Sequence, residues 1–326
     1  MNLVANELHD RKCDICLVTI NRTEEDLVKI RPTHFLLNRE KDAGALELIR
    51  SFLAYQKFIS KFKPDIVIIN CDLPELFAAL SLTRAKHVIV EHANPAWSTR
   101  KVIGVLIRTF LLLKRSRFVA VSSHLRIWPY RIAPGAIMVN GLPKDLVAGT
   151  SRNKNLNSIN RLVFIGRLAN PQKRPEVLLE IARRTNFGVL FIGEGKESEH
   201  LRFAAKEYGL PVEFAGFIQN PWKLLRKTDL LIIPSLFEGD GLVVIEALAS
   251  GARFLLSDIP DFRRFKLPDD LYCNDARDYS QKILDGVKKP LSFDVPETIR
   301  TEILSERDMK QIGDNWISYL ETMMKS

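Results

Sequence analysis

Phe237-Glu238-Gly239-Asp240-Gly241-Leu242-Val243-Val244-Ile245-Glu246-Ala247-Leu248-Ala249-Ser250-Gly251 is the stretch that decides the fold. The run just before it, Leu230-Leu231-Ile232-Ile233-Pro234, is unbroken and apolar, as in parallel strands buried on both faces. Gly239 and Gly241 then open a turn, and Leu242 to Ala249 has the apolar density of a helix packed on a sheet. Gly251 stands where a helix end takes a left-handed residue. The order is strand, glycine turn, helix start. A helix start has amides without intrahelical partners and the positive end of the helix dipole. The backbone at Gly241 and Leu242 is therefore an expected anion site, which Gly239 lets an anion approach without a Cβ between. Glu238 and Glu246 flank that site, eight residues apart. They suit hydroxyls on either side of a diphosphate, which is the layout of a nucleotide sugar. A capping Glu238 and a surface ion pair at Glu246 fit the same spacing.

Glu238, seven residues, then Glu246, inside EGDGLVVIEALASG, closely resembles the signature of the family 4 (group 1) retaining glycosyltransferases. These have the GT-B fold: two Rossmann-like doubly wound α/β domains facing a cleft. The resemblance implies that Glu238 contacts the donor sugar and Glu246 the nucleotide ribose, with Gly239, Asp240, Gly241 and Leu242 lining the donor site. Asp240 departs from the family, which usually carries an aromatic or apolar residue there.

Working outward within the second half, strands are expected at Arg161–Ile165, Gly188–Ile192, Val212–Phe214, Leu230–Ile233 and Arg253–Leu256. Helices are expected between them at Pro175–Arg184, Glu197–Tyr208 and Trp222–Lys227. Strands alternating with helices argue for a parallel sheet, which binds ligands at its carboxyl ends. Arg167 and Lys173 follow the first of these strands and overhang such an end. Two cations there can neutralise a diphosphate without a metal, although a solvated basic loop reads the same way on charge alone. The family has an Arg and a Lys at the matching positions, contacting the donor diphosphate. The resemblance also puts Gly166 and Gly193 near the nucleotide and Phe217 and Ile218 along the nucleobase pocket, where a core role is an equal alternative for both side chains. Gly193-Glu194-Gly195 is an incomplete dinucleotide fingerprint, because Ser198 occupies the third glycine position. Ser257 to Arg264 lacks the glycine pair, and the Glu near Arg264, that many family members carry.

In the first half, Leu3-Val4-Ala5-Asn6-Glu7-Leu8 resembles the family's first helix, and the strand and glycine-rich turn that normally precede it are absent from the sequence. A helix over Ala43–Phe62 is expected, then a strand over Asp65–Ile69, a helix over Leu76–Leu82 and strands at His87–Val90, Phe118–Ser122 and Ala136–Val139. His92 follows a strand, and a family His in a comparable loop sits near the reacting sugar; a lone His is otherwise more often structural. The expected division is a first domain over 1–142, a linker over 143–160, a nucleotide-sugar domain over 161–305 and, over 306–326, a C-terminal helix packing back on the first domain.

The 326 residues, 46% hydrophobic and 27% charged, suit a globular protein of two domains. Cys13, Cys16, Cys71 and Cys273 suggest no disulfide framework, and neither a bilayer-length apolar run nor a leader sequence is evident, which points to a cytoplasmic protein. The net charge of +9 suits anionic substrates or surfaces; no zinc-ligand spacing or recognition aromatics favour nucleic acid. Arg100, Lys101, Arg108, Lys114, Arg115 and Arg117 interleave with Val102 to Leu113. That is either a basic amphipathic helix for the inner face of an anionic membrane or an ordinary helix with a charged outer face. The family resemblance implies a retaining, metal-independent glycosyltransferase that uses a nucleotide-diphosphate sugar, needs no cofactor and acts on a glycan or lipid-linked acceptor. A non-catalytic nucleotide-sugar-binding subunit and a sugar-nucleotide epimerase of the same fold are the alternatives.

Overall fold

The computed structural model describes residues 2–21, 30–40, 43–92, 96–97, 100–143, 146, 159–288 and 295–325. Most of the expected linker and the loop residues 93–95 lie outside them. The chain divides into two compact units, Met1–Gly141 with Glu306–Ser326, and Leu142–Ser305.

The first unit contains, in order, α1 (Asn2–Asp10), β1 (Cys16–Asn21), β2 (Thr33–Arg39), α2 (Ala45–Phe62), β3 (Ile66–Asn70), α3 (Asp72–Leu80), β4 (Lys86–Glu91), α4 (Lys101–Leu113) and β5 (Arg117–Ala120). Its strands form two parallel sheets, β1-β2 and β3-β4-β5, in place of the single sheet expected. β2 was not anticipated. Ala136–Val139 is not a strand either: it makes one bridge, Ala120 to Ile137, because only this short piece of backbone reaches the sheet edge. Val4 and Leu8 of α1 share a core with Val88, Val119 and Ile312 and Trp316 of the C-terminal helix, Met309–Lys325. Arg11 ties the first and last helices together through Glu7, Asp314 and the Lys310 carbonyl.

Arg108 corrects the reading of α4. Its guanidinium is fully buried and points away from any charged outer face. Nε and Nη2 grip Glu75 at 2.9 and 2.6 Å, while Nη1 donates to Glu91 at 2.6 Å and to the Trp128 carbonyl at 2.7 Å. The Trp97 indole also donates to Glu75, at 2.7 Å. One arginine is thus shared by two buried carboxylates. Burial consequently pushes Glu91 up to about 7, against the pull of Arg108. Lys114 is likewise turned inward, donating to the carbonyls of Ala79 and Ser81 at the end of α3.

The second unit continues with β6 (Arg161–Ile165), α5 (Glu176–Thr185), β7 (Gly188–Ile192), α6 (Ser198–Glu207), β8 (Val212–Phe214), β9 (Asp229–Ile233), α7 (Leu242–Ser250), β10 (Phe254–Ser257), α8 (Pro260–Arg263), β11 (Tyr272–Cys273), α9 (Ala276–Lys288) and α10 (Glu297–Ser305). The expected helix at Trp222–Lys227 is instead a single 3-10 turn, Pro221–Leu224. Pro221 opens that turn, and the backbone becomes extended again by Leu225. Six parallel strands run in the order β11-β10-β9-β6-β7-β8. The order reverses between β6 and β9, and an open α/β sheet binds its ligands beyond the carboxyl ends of the strands at such a switch point. β9 is buried along its whole length, as its uninterrupted apolar sequence requires. At the opposite, amino end, Arg161 pairs with Asp229 through two hydrogen bonds of 3.2 and 2.7 Å, which pins the register of β6 on β9.

Candidate active site

The loops after β6 and β9 meet at this switch point. Gly166 through Lys173 leaves β6, and Pro234 through Gly241 leaves β9. Leu236 N–H donates to the Gln172 carbonyl at 2.8 Å, and the Gln172 amide nitrogen donates to the Phe237 carbonyl at 3.4 Å. Lys173 Nζ lies 2.5 Å from Glu238 Oε1, which also accepts the Ser235 hydroxyl at 2.7 Å. Arg167 is exposed and donates to Gln172 at 3.3 Å, one residue from Lys173. Lys173 therefore contacts the Glu238 turn directly, and Arg167 is linked to it through Gln172.

α7 begins at this turn. Gly241 has φ +60°, a left-handed conformation that a side chain would strain, and a Cβ there would come within 3.2 Å of the Phe262 and Phe265 rings. Gly239 and Asp240 are buried beside it, and Leu242, the first residue of α7, is exposed. Gly251 ends α7 as the left-handed cap its place in the sequence implies. Glu246 lies one turn into α7. Its burial pushes the carboxyl up to about 7, offset by a hydrogen bond with Trp222 and the charge of Lys173. Trp222, part of the misread helix, was missed by the sequence reading, because nothing local marks a partner 24 residues away. Arg174 was missed as well: it fastens the same loops by donating to the Pro234 carbonyl at 2.7 Å and to Ser257 at 3.1 Å.

The remaining residues expected on the donor side lie at the ends of β6, β7 and β8. Gly193 has φ +137°, and a Cβ there would stand 2.0 Å from the Gly166 carbonyl oxygen. Gly166 N–H donates to Ile192, Gly193 N–H to Gly216 and Leu168 N–H to Glu194, which stitches three turns together through backbone alone. Glu194 also accepts the Phe217 amide at 3.3 Å. The Phe217 side chain is exposed, whereas Ile218 packs against the core. His92 belongs to the other unit, just past β4, where its Nε2 lies 2.8 Å from Asn70 Oδ1.

The site therefore offers a helix start, Lys173 and Arg167, and the carboxylates of Glu238 and Glu246 beyond the carboxyl end of the six-stranded sheet. Residues 150–270 match the family model described as glycosyl transferases group 1. A Campylobacter jejuni N-acetylgalactosaminyltransferase, named for its undecaprenol-diphosphate-linked substrate, is 25% identical over 206 residues, 61% of this chain and 57% of its own length. The phosphatidyl-myo-inositol mannosyltransferase of Mycobacterium tuberculosis strain H37Rv is 29% identical over 157 residues, 45% of this chain and 41% of its own. The chain thus spans about half the length of these curated relatives. Among solved structures, sucrose-phosphate synthase from Thermosynechococcus elongatus superposes with a TM-score of 0.79 at 14% identity, covering 99% of this chain and 92% of that one. Anabaena HepE in complex with UDP gives 0.73 at 14% identity, covering 98% and 94%. These neighbours are GT-B glycosyltransferases, and the α/β fold with parallel sheets is theirs.

Proposed function

We propose that the protein is a retaining glycosyltransferase that moves a sugar from a nucleotide-diphosphate sugar to a glycan or lipid-linked acceptor, in cell-surface polysaccharide or lipopolysaccharide synthesis. The observation that carries this reading is the Lys173–Glu238 contact of 2.5 Å beside the start of α7. Of the three ammonium donors, one goes to Glu238, and the others suit a diphosphate. The bond from the anomeric carbon to the diphosphate breaks, its electron pair leaving with the phosphate oxygen. The acceptor hydroxyl attacks from the same face, and its proton passes to the leaving group. Charge grows on the diphosphate, so Lys173, Arg167 and the α7 amides stabilise the transition state more than the bound donor. In this scheme protein cations do the work of a metal. Glu238 orients the sugar and Glu246 the ribose, while Gly166, Gly193, Phe217 and Ile218 line the nucleotide; His92 is assigned to the reacting sugar by family resemblance alone.

The acceptors named for both curated relatives are lipid-linked, and α4 suits work at an anionic bilayer surface. Val102, Leu106 and Leu113 are 75%, 66% and 76% exposed. Arg100, Lys101, Arg115 and Arg117 lie close by in the sequence, and no acidic residue occurs between Arg100 and Arg117. Among the described residues no helix is long and apolar enough to cross a membrane. Sedimentation with phosphatidylglycerol vesicles, but not phosphatidylcholine vesicles, is the expected result; Leu106→Asp should abolish it.

A thermal-shift screen of nucleotide sugars tests the main reading. A ligand at a hundredfold over its dissociation constant stabilises by about 2.7 kcal/mol. The best donor should then support sugar transfer or slow hydrolysis. Binding with neither would indicate a binding subunit, and isomerised donor without acceptor would indicate an epimerase.

A further inference from the structure

Two places where this chain departs from the group 1 pattern, Asp240 and the neighbourhood of Arg264, are in contact. Arg264 Nη2 donates to Asp240 Oδ1 at 3.0 Å and to the Asp240 carbonyl at 2.6 Å. Its Nε donates to the Asp261 carbonyl at 3.1 Å, and its guanidinium carbon lies 4.2 Å from the centre of the Phe265 ring. The Asp240 side chain is 3% exposed and that of Arg264 22%. Asp261 completes the brace by accepting the Glu238 amide at 2.7 Å, and Phe262 and Phe265 pack beneath Gly241.

Asp240 immediately precedes Gly241, the residue that caps the start of α7. A bare carboxylate there would oppose any anion arriving at the helix amides, because charges at short range in a water-poor site interact strongly. It would also be costly to bury without a partner. Arg264 answers both problems. It cancels the charge, and its fork reaches the turn's carbonyl as well as its carboxylate.

We propose that Arg264 is a positioning residue of the anion site: by neutralising Asp240 and bracing the 238–241 turn, it makes the start of α7 receptive to a nucleoside diphosphate. This rests on the nucleotide-sugar reading above. Asp240 then serves to hold Arg264 in place, and neither side chain needs to touch the ligand.

The test is calorimetric titration of the full chain with UDP, and with GDP if UDP does not bind, at pH 8 and at low and high salt. Arg264→Gln should weaken binding about tenfold, and more at low salt. Asp240→Asn in the same chain should restore most of that loss, since the charge that Arg264 neutralised is then gone. Arg264→Lys should stay within about threefold of wild type and serves if the Gln variant does not fold. An Arg264→Gln variant that binds like wild type overturns the proposal. So does a double variant no better than the single one, because the loss would then not come from an uncompensated Asp240 charge. Wild-type protein that binds neither nucleotide overturns the donor reading itself, and this proposal with it.

Discussion

The pH dependence of nucleotide-sugar binding should follow Glu246. Burial raises this carboxyl to about 7, so it is mostly neutral just below that pH and mostly ionised just above it. A ribose hydroxyl gains most by donating to the ionised form. At pH 6 roughly one carboxyl in ten is ionised, and at pH 8 roughly nine in ten. Affinity should therefore rise about tenfold over this interval, which is about 1.4 kcal/mol. The assay is calorimetric titration at pH 6, 7 and 8 and constant ionic strength, with UDP-glucose or whichever nucleotide sugar gives the largest thermal shift. A nucleotide sugar is preferred to a free nucleotide, because a terminal phosphate titrates near pH 6 and would mask the effect. In Glu246→Gln the profile should be flat and the binding weak. The ligand-free protein should behave oppositely. With a folded pKa raised above the ordinary 4.5, the fold holds this proton more tightly, so stability falls as pH rises from about 4.5 to about 7 and levels off beyond. A flat wild-type binding profile, or an equal slope in Glu246→Gln, would refute the assignment.

Three further outcomes are expected. Lys173→Ala should lower kcat by roughly 10²- to 10³-fold with little change in KM, measured by transfer of a radiolabelled sugar, because it removes charge stabilisation that grows in the transition state. Arg108→Met should destabilise the first unit by about 3–5 kcal/mol in urea unfolding, leaving Glu75 and Glu91 buried without their shared cation. That loss should be smaller at pH 5 than at pH 8, because Glu91, already raised to about 7, takes up a proton in acid. Gly193→Ala should abolish nucleotide binding or folding, since the new methyl would meet the Gly166 carbonyl at 2.0 Å in a backbone conformation that L residues rarely adopt.

The second unit was legible in the sequence because its strands are buried on both faces and so read as plain apolar runs between glycine turns. Leu230 to Gly251 is the clearest case: strand, turn, helix and cap all fall where the residues put them. The first unit was less legible. Thr33–Arg39 mixes His34, Asn38 and Arg39 with its apolar residues, and its burial is partial. Arg108 could not be placed from periodicity, because it shares the buried face of α4 with Ile107 and Leu111 while Leu106 and Leu113 face outward, so apolar and charged residues are exchanged between the two faces. Its reason lies in Glu75 and Glu91, 33 and 17 residues away. The cations at Arg167 and Lys173 could be named from their place after a strand. Trp222 against Glu246 and Arg264 against Asp240 arise from chain folding over long separations, which no local spacing records.

The turns after β6, β7 and β8 are joined main chain to main chain, with Gly193 resting on Gly166 and Gly195 on Leu168. Such a seam has no side chain that can be trimmed to make room. On the nucleotide-sugar reading proposed above, changing donor specificity would require residues 166–168, 193–195 and 216–217 to be transplanted as one block. Retuning by point substitution is left to the positions standing clear of the seam, of which Phe217 is the most accessible.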